Sequence, residues 1–228
     1  MTTLLLASAS PARRTTLITA GVVPFVRISD VDEDAVLAAA RERFGALEPA
    51  DAVLLLAQAK AEAVTQLVEA EAEIAGTDDE PAPIDGDVVV GCDSMLELDG
   101  EIYGKPASPA EAVARWQVMR GRSGVLHTGH WIVDLRSADN GGTGGTLGAS
   151  SATVVHFADI SDAEIEAYVA TGEPLAVAGA FTIDGLGGAF IDRIEGDHHS
   201  VVGLSLPLLR ELLGQLGLAW TDLWVPAT

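Results

Sequence analysis

Apolar positions along the chain change their spacing in a way that marks out alternating strands and helices. Residues 3–7 form a short apolar strand, and residues 88–90 open a Val-rich run of the kind buried on both faces of a sheet. Between them the pattern predicts a helix from Ser10 to Gly21, a strand over 24–28, an acidic turn over 29–34, and helices over 35–44 and 50–74. Ser10 caps the first of these, with Pro11 at its first position. Residues 76–87, with two prolines and many acids, read as a loop. After the Val-rich run, Asp99-Gly100 predicts a tight hairpin, and the return strand ends on Gly104-Lys105-Pro106.

The second half repeats the alternation. Ser108-Pro109-Ala110-Glu111 starts a helix carrying Trp116 and Met119, and residues 125–135 read as a strand. His127 and His130 lie three residues apart on it, hence on opposite faces, and are not read as a metal pair. Residues 137–151 are dominated by Gly, Ser and Thr and predict a flexible hairpin tip or insertion, with the returning strand over 152–157. Ser161-Asp162-Ala163-Glu164 is a capping box. A Gly-rich run over 178–188 precedes a strand over 189–194, a polar loop over 195–200 and a last helix over 208–216. There is no internal repeat and no clear linker, so residues 1–228 are read as one domain.

Composition narrows the class. Hydrophobic residues make up 48% of the chain and charged ones 21%, enough for a sizeable core and against disorder. No apolar run approaches a membrane span, and the polar turn soon after Met1 does not fit a signal peptide. A single cysteine, Cys92, excludes an internal disulfide framework and fits a cytoplasmic protein; its apolar setting makes it a core residue. The net charge of −21 argues against a nucleic-acid surface. It also means that an anionic ligand must be held by a few local cations, a helix N-terminus and a metal ion.

Those cations are few in kind. Of thirteen basic residues only Lys60 and Lys105 are lysines, and a lysine is a mobile point charge suited to phosphate. Lys105 ends the return strand of the hairpin whose first strand delivers Asp93 and Ser94, an acid and a hydroxyl. Lys60 sits in an Ala- and Leu-rich helix, where a lone lysine is ordinarily a surface residue. At the start of the first helix, Ser8, Ser10 and Arg13 form a candidate anion cradle, against the simpler reading of a capped helix with solvated arginines. Of the acids in the turn over 29–34, one or two could reach a metal, though acids at a helix start are ordinarily solvated.

Six segments then resemble a known family. Leu6-Ala7-Ser8-Ala9-Ser10-Pro11-Ala12-Arg13-Arg14, Val31-Asp32-Glu33, Gly91-Cys92-Asp93-Ser94, Gly104-Lys105-Pro106, the run from Ala178 to Gly185, and Val202-Gly203-Leu204 occur in the order seen in the Maf family. The resemblance covers residues 4 to about 217. It implies an α/β fold like that of inosine triphosphate pyrophosphatases: a long twisted mixed sheet with flanking helices, and two lobes around a nucleotide cleft. It implies hydrolysis of a nucleoside triphosphate, non-standard bases included, to the monophosphate and pyrophosphate with Mg²⁺ or Mn²⁺. A homodimer is a further expectation, with no nucleic-acid or membrane partner. The alternative is a nucleotide-binding regulator of cell division with little or no turnover.

Carried across residue by residue, the resemblance makes Asp93 the catalytic carboxylate, with Lys60 and Lys105 beside the phosphates. Glu33 and Asp93 become metal ligands, and Ser8, Ser10, Arg13, Ser94 and Asp184 substrate contacts. Whether Asp93 acts as general base or as metal ligand stays open. The chain departs from the family pattern at Ala12, where an arginine is frequent, at Ser94 in place of Thr, and at Asp184 in place of Gln. Asp184 is read either as a wall of the base pocket or as a turn residue before Gly185.

Overall fold

The computed structural model describes residues 2–76 and 86–225, so most of the loop expected over 76–87 lies outside the described residues. Seven strands form a mixed sheet, and the helices flank it. The strands are β1 (Leu4–Ala7), β2 (Phe25–Arg27), β3 (Val88–Leu98), β4 (Glu101–Tyr103), β5 (Ser123–Asp134), β6 (Thr146–Phe157) and β7 (Ile191–Glu195). Their order is β2-β1-β3-β5-β6-β7, with β4 hydrogen-bonded to β3. β1 is parallel to both β2 and β3, whereas β3–β4 and β6–β7 are antiparallel. Parallel neighbours need long crossovers. These are supplied by α1 (Pro11–Thr19) between β1 and β2, and by α2 (Glu33–Phe44) and α3 (Pro49–Ala75) before β3.

Local chemistry explains most boundaries. The Ser10 hydroxyl accepts from the Arg13 N–H at the start of α1, and the Asp32 carboxylate accepts from the Ala35 N–H at the start of α2. Ser108 caps α4 (Pro109–Met119), and Ser161 with Glu164 forms a complete capping box on α5 (Asp162–Ala170). Asp99 and Gly100 have φ of 54° and 83°, the left-handed pair a two-residue hairpin needs.

Two compact units emerge, Met1–Asp93 with Gly129–Ser150 and Leu206–Thr228, and Ser94–Thr128 with Ser151–Ser205. In the first, Leu5, Ala7, Val89 and Val133 pack against Ala61, Val64 and Val68 of α3. The second is built around Trp116, whose ring meets Phe157 and Tyr168 edge-on at 5.7 and 5.6 Å. Its indole N–H donates to the Ala180 carbonyl at 2.7 Å.

Three expectations change. β6 starts at Thr146, so residues 146–151 are strand rather than a flexible tip. Thr143, in the same segment, is fastened to the buried Asp134 carboxylate through its N–H and hydroxyl, at 2.8 and 2.9 Å. The polar loop over 195–200 gives way to a short helix, α6 (His198–Val202), which Asp197 caps. The strand expected over 189–194 is β7, and it begins only after a 3-10 turn over Leu186–Phe190. Over 198–202 polarity masked a helix that the Asp197 cap makes favourable.

Candidate active site

The site in the first unit depends on how closely α3 lies against the sheet. A Cβ on Gly91 would sit 2.1 Å from the Ala57 carbonyl oxygen, and one on Gly129 would sit 2.3 Å from that of Val53. Only glycine permits this approach. It brings Lys60, one turn beyond Ala57, to the same sheet face as Asp93, two residues beyond Gly91. The Lys60 Nζ donates to Asp93 Oδ1 at 2.6 Å and is 2.7 Å from Glu33 Oε1.

The three charges differ in exposure. The side chains of Asp93 and Lys60 are 10% and 12% exposed, and that of Glu33 is 51% exposed. Burial raises the Asp93 carboxyl above its ordinary value, opposed by the charges of Lys60 and Arg13. A carboxylate kept ionised by one ammonium yet raised by burial is a better proton acceptor than a free one. Next to it, burial pushes the Cys92 thiol up to about 11, which keeps it protonated and inert.

Arg13 approaches the same strand end from α1. It is buried, and its Nη1 donates to the Cys92 carbonyl at 2.8 Å and to the Ser8 hydroxyl at 3.1 Å. Ser8 in turn accepts from the Ser10 N–H at 3.2 Å. The cradle at the start of α1 is therefore partly turned inward. Ser10 is a cap, and Arg13 holds the peptide that leads into Asp93.

The second unit carries the other candidates. Ser94 shares a hydrogen bond with the buried Thr128 hydroxyl at 3.0 Å, and Thr128 donates on to the Ser200 carbonyl at 3.0 Å. Lys105 is exposed and makes no ion pair among the described residues. Its turn is clamped from α4: Arg115 donates to the Gly104 carbonyl at 2.6 Å, and Glu111 accepts from the Ala107 N–H at 2.9 Å. These two side chains are themselves paired at 2.7 Å. The Gly179 N–H also donates to the Gly104 carbonyl, at 3.0 Å, joining the Gly-rich run to the same turn. Asp184 is exposed on that run.

Local sequence alone gave Lys60 an ordinary surface role, and it was the family resemblance that placed it beside the phosphates, although a local signal was also present. Ala52, Leu56, Lys60, Val64, Val68 and Ala72 recur every four residues, so this lysine interrupts an apolar stripe. Arg115, Thr128 and Glu173 were not singled out, and nothing in their local sequence marks them. Of the two histidines, His127 pairs with Glu97 at 2.8 Å and His130 is fully buried.

Among the described residues, no three Asp, Glu, His or Cys side chains converge as a metal cage. Glu33 and Asp93 do converge on a single cation, the Lys60 ammonium. Carboxylate oxygens are the ligand type that suits Mg²⁺ or Mn²⁺ better than Zn²⁺. Also among the described residues, no helix is long and apolar enough to cross a membrane.

Comparison with known proteins bears on the family. The family model described as Maf-like protein matches residues 3–216. A Salinispora tropica protein called nucleoside triphosphate pyrophosphatase is 53% identical over 99% of this chain and 88% of its own length. Proteins of the same name from Leifsonia xyli subsp. xyli and Streptomyces coelicolor are 51% and 50% identical, over 97% and 98% of this chain and 96% and 95% of their own. With matched residues running from β1 to the end of the last helix, and identity near one half throughout, the chain belongs to the Maf family.

Proposed function

We propose that the chain is a nucleoside triphosphate pyrophosphatase that cleaves between the α- and β-phosphates, releasing a monophosphate and pyrophosphate. The observation that carries this reading is the buried Asp93 carboxylate held 2.6 Å from the Lys60 ammonium, with Glu33 2.7 Å from the same ammonium. The names of the relatives support the same reaction class.

Phosphoanhydride hydrolysis is chiefly a matter of positioning and charge stabilisation. Asp93 accepts the proton of the attacking water, a role its burial favours. Lys60 neutralises charge on the phosphates and keeps Asp93 ionised. Arg13 fixes the Cys92 peptide, and so the direction from which Asp93 acts. Glu33 and Asp93 would hold a Mg²⁺ or Mn²⁺ ion, which supplies charge neutralisation at phosphate oxygens when bound. Lys105 and Ser94 serve as further phosphate contacts and Asp184 as the base contact. A cytoplasmic setting fits the lone buried thiol.

Product analysis tests the reaction. Incubation of each common and modified nucleoside triphosphate with Mg²⁺ or Mn²⁺ should yield monophosphate and pyrophosphate in equal amounts. Diphosphate and orthophosphate would place the cut at the γ-phosphate and overturn the assignment.

A further inference from the structure

We propose that Glu173 is the positioning residue for base recognition, because it fastens the segment that presents Asp184. The proposal rests on the reading of Asp184 as the base contact.

The fastening is done by one carboxylate. Glu173 stands just after Gly172, whose φ of 79° turns the chain so that the side chain reaches back under residues 182–187. Its oxygens accept from the Leu186 and Gly187 N–H groups, each at 3.0 Å. They also accept from the Thr182 hydroxyl and, at 3.0 Å, from the Tyr168 hydroxyl. Thr182 and Leu186 stand two residues before and two after Asp184, so both limbs of the segment end on the same group. A Cβ on Gly185 would lie 2.7 Å from Glu173 Oε2, and one on Gly187 would lie 2.3 Å from the Tyr168 hydroxyl oxygen. The glycines are therefore required by this carboxylate and this phenol, independently of any ligand.

Charge reinforces the geometry. Burial by itself would raise the Glu173 carboxyl, but the Thr182 hydroxyl and the Leu186 and Gly187 N–H groups outweigh it and hold the group below its ordinary value. Burial pushes the Tyr168 phenol up to about 12, so it remains a donor. Four donors thus meet one anion, and charge-assisted bonds of this kind are the strong ones. Glu173 has its charge spent inward and is not itself a substrate group.

Asp184 is the complement. A turn-fastening role was one reading of this residue, yet Asp184 makes no hydrogen bond or ion pair with the described residues. Glu173 does the fastening, and Asp184 is left exposed on a held backbone. An ionised Asp only accepts hydrogen bonds, so the group it suits is an amino or ring N–H of a nucleobase. Selectivity of that kind requires a fixed acceptor, since a mobile one can retreat to water.

The test compares Asp184→Asn, Glu173→Ala and Glu173→Gln across a panel of nucleoside triphosphates. Asp184→Asn and Glu173→Ala should each compress the spread of kcat/KM between best and worst base by roughly tenfold, acting through KM, while kcat stays within about threefold. Glu173→Gln, which keeps the acceptor oxygen but not the charge, should fall between Glu173→Ala and the parent. The double variant should compress the spread no further than either single one, the signature of two residues acting through one contact. A compressed spread for Asp184→Asn with an unchanged one for both Glu173 variants would overturn the role of Glu173 and leave the base reading standing. An unchanged spread for Asp184→Asn would overturn the base reading, and this proposal with it. If Glu173→Ala does not fold, Glu173→Gln decides by the same ratios. A lowered Tm with discrimination intact means a structural role only.

Discussion

The Lys60 ammonium sits 2.6 Å from Asp93 Oδ1, and both side chains are almost fully withdrawn from water. One residue comes from the middle of a 27-residue helix and the other from the middle of a strand, so neither can move away without moving its element. Their pairing also determines what each can do. Without Asp93, Lys60 would keep only the half-exposed Glu33 as counter-charge, and without Lys60 the buried Asp93 would lose its main counter-charge and keep only Arg13.

Removing one charge of this pair should cost more than removing both. Lys60→Met leaves Asp93 buried without its principal counter-charge and should destabilise the protein by about 3 kcal/mol, read from urea midpoints. Lys60→Met with Asp93→Asn should recover most of that loss. Asp93→Asn alone should still bind nucleotide while turnover drops by roughly 10²–10⁴. A near-normal kcat for Asp93→Asn would remove Asp93 from the chemistry.

Gly91→Ala tests whether the close approach of α3 makes the site. The new methyl would meet the Ala57 carbonyl at 2.1 Å and the Ala61 nitrogen at 2.9 Å, both backbone atoms that cannot rotate away. The expected cost is about 3 kcal/mol, with activity lost even in the fraction that remains folded, because Lys60 is displaced. Gly104→Ala is the control: its Cβ would meet nothing within 4 Å, and stability should stay within about 0.5 kcal/mol.

The clamp on the Lys105 turn yields a third outcome. Arg115→Ala removes the shorter of the two hydrogen bonds to the Gly104 carbonyl and should lower kcat/KM by roughly 10- to 100-fold, as Lys105 loses its fixed position. Arg115→Lys should fail to restore it, since one ammonium cannot bond Gly104 and Glu111 in the geometry of a guanidinium fork. In a Lys105→Ala background, Arg115→Ala should add little. A full additional loss there would show that Arg115 acts through something other than Lys105.

Acid stability should report on Asp134. Its side chain is 0% exposed and accepts from Arg136 Nε and Nη2 at 2.8 and 2.9 Å, as well as from Thr143. Burial would raise its carboxyl, but these hydrogen bonds outweigh burial and hold it at about 2, below its ordinary 3.8. The folded value lies below the unfolded one, so the stabilisation is complete above about pH 4 and is lost as pH falls toward 2. It amounts to about 2 kcal/mol. Asp134→Asn should be less stable than the parent at pH 7, with the gap closing between pH 4 and pH 2. A gap that stays constant over that range would mean that the carboxylate is not linked to folding.

Much of the local structure was legible in the chain itself because its causes are local. Ser10-Pro11, Asp32, Ser108 and Ser161 with Glu164 cap helices through bonds that span two or three residues, and Asp99-Gly100 bends through its own backbone angles. The Val-rich start of β3 announced a strand buried on both faces, and the ordered motifs announced the family. Polar composition misled at residues 146–151 and 195–200, where strand pairing and an Asp197 cap outweighed it. The partners of site residues were not legible, because they are distant in sequence. Arg13 meets the carbonyl of Cys92, Lys60 meets Asp93, and Thr128 meets Ser94. A sequence fixes which groups are available and the period on which they recur. Which lysine is buried against which acid depends on how near two backbones can come, and here that was decided by the absence of a Cβ at Gly91 and Gly129.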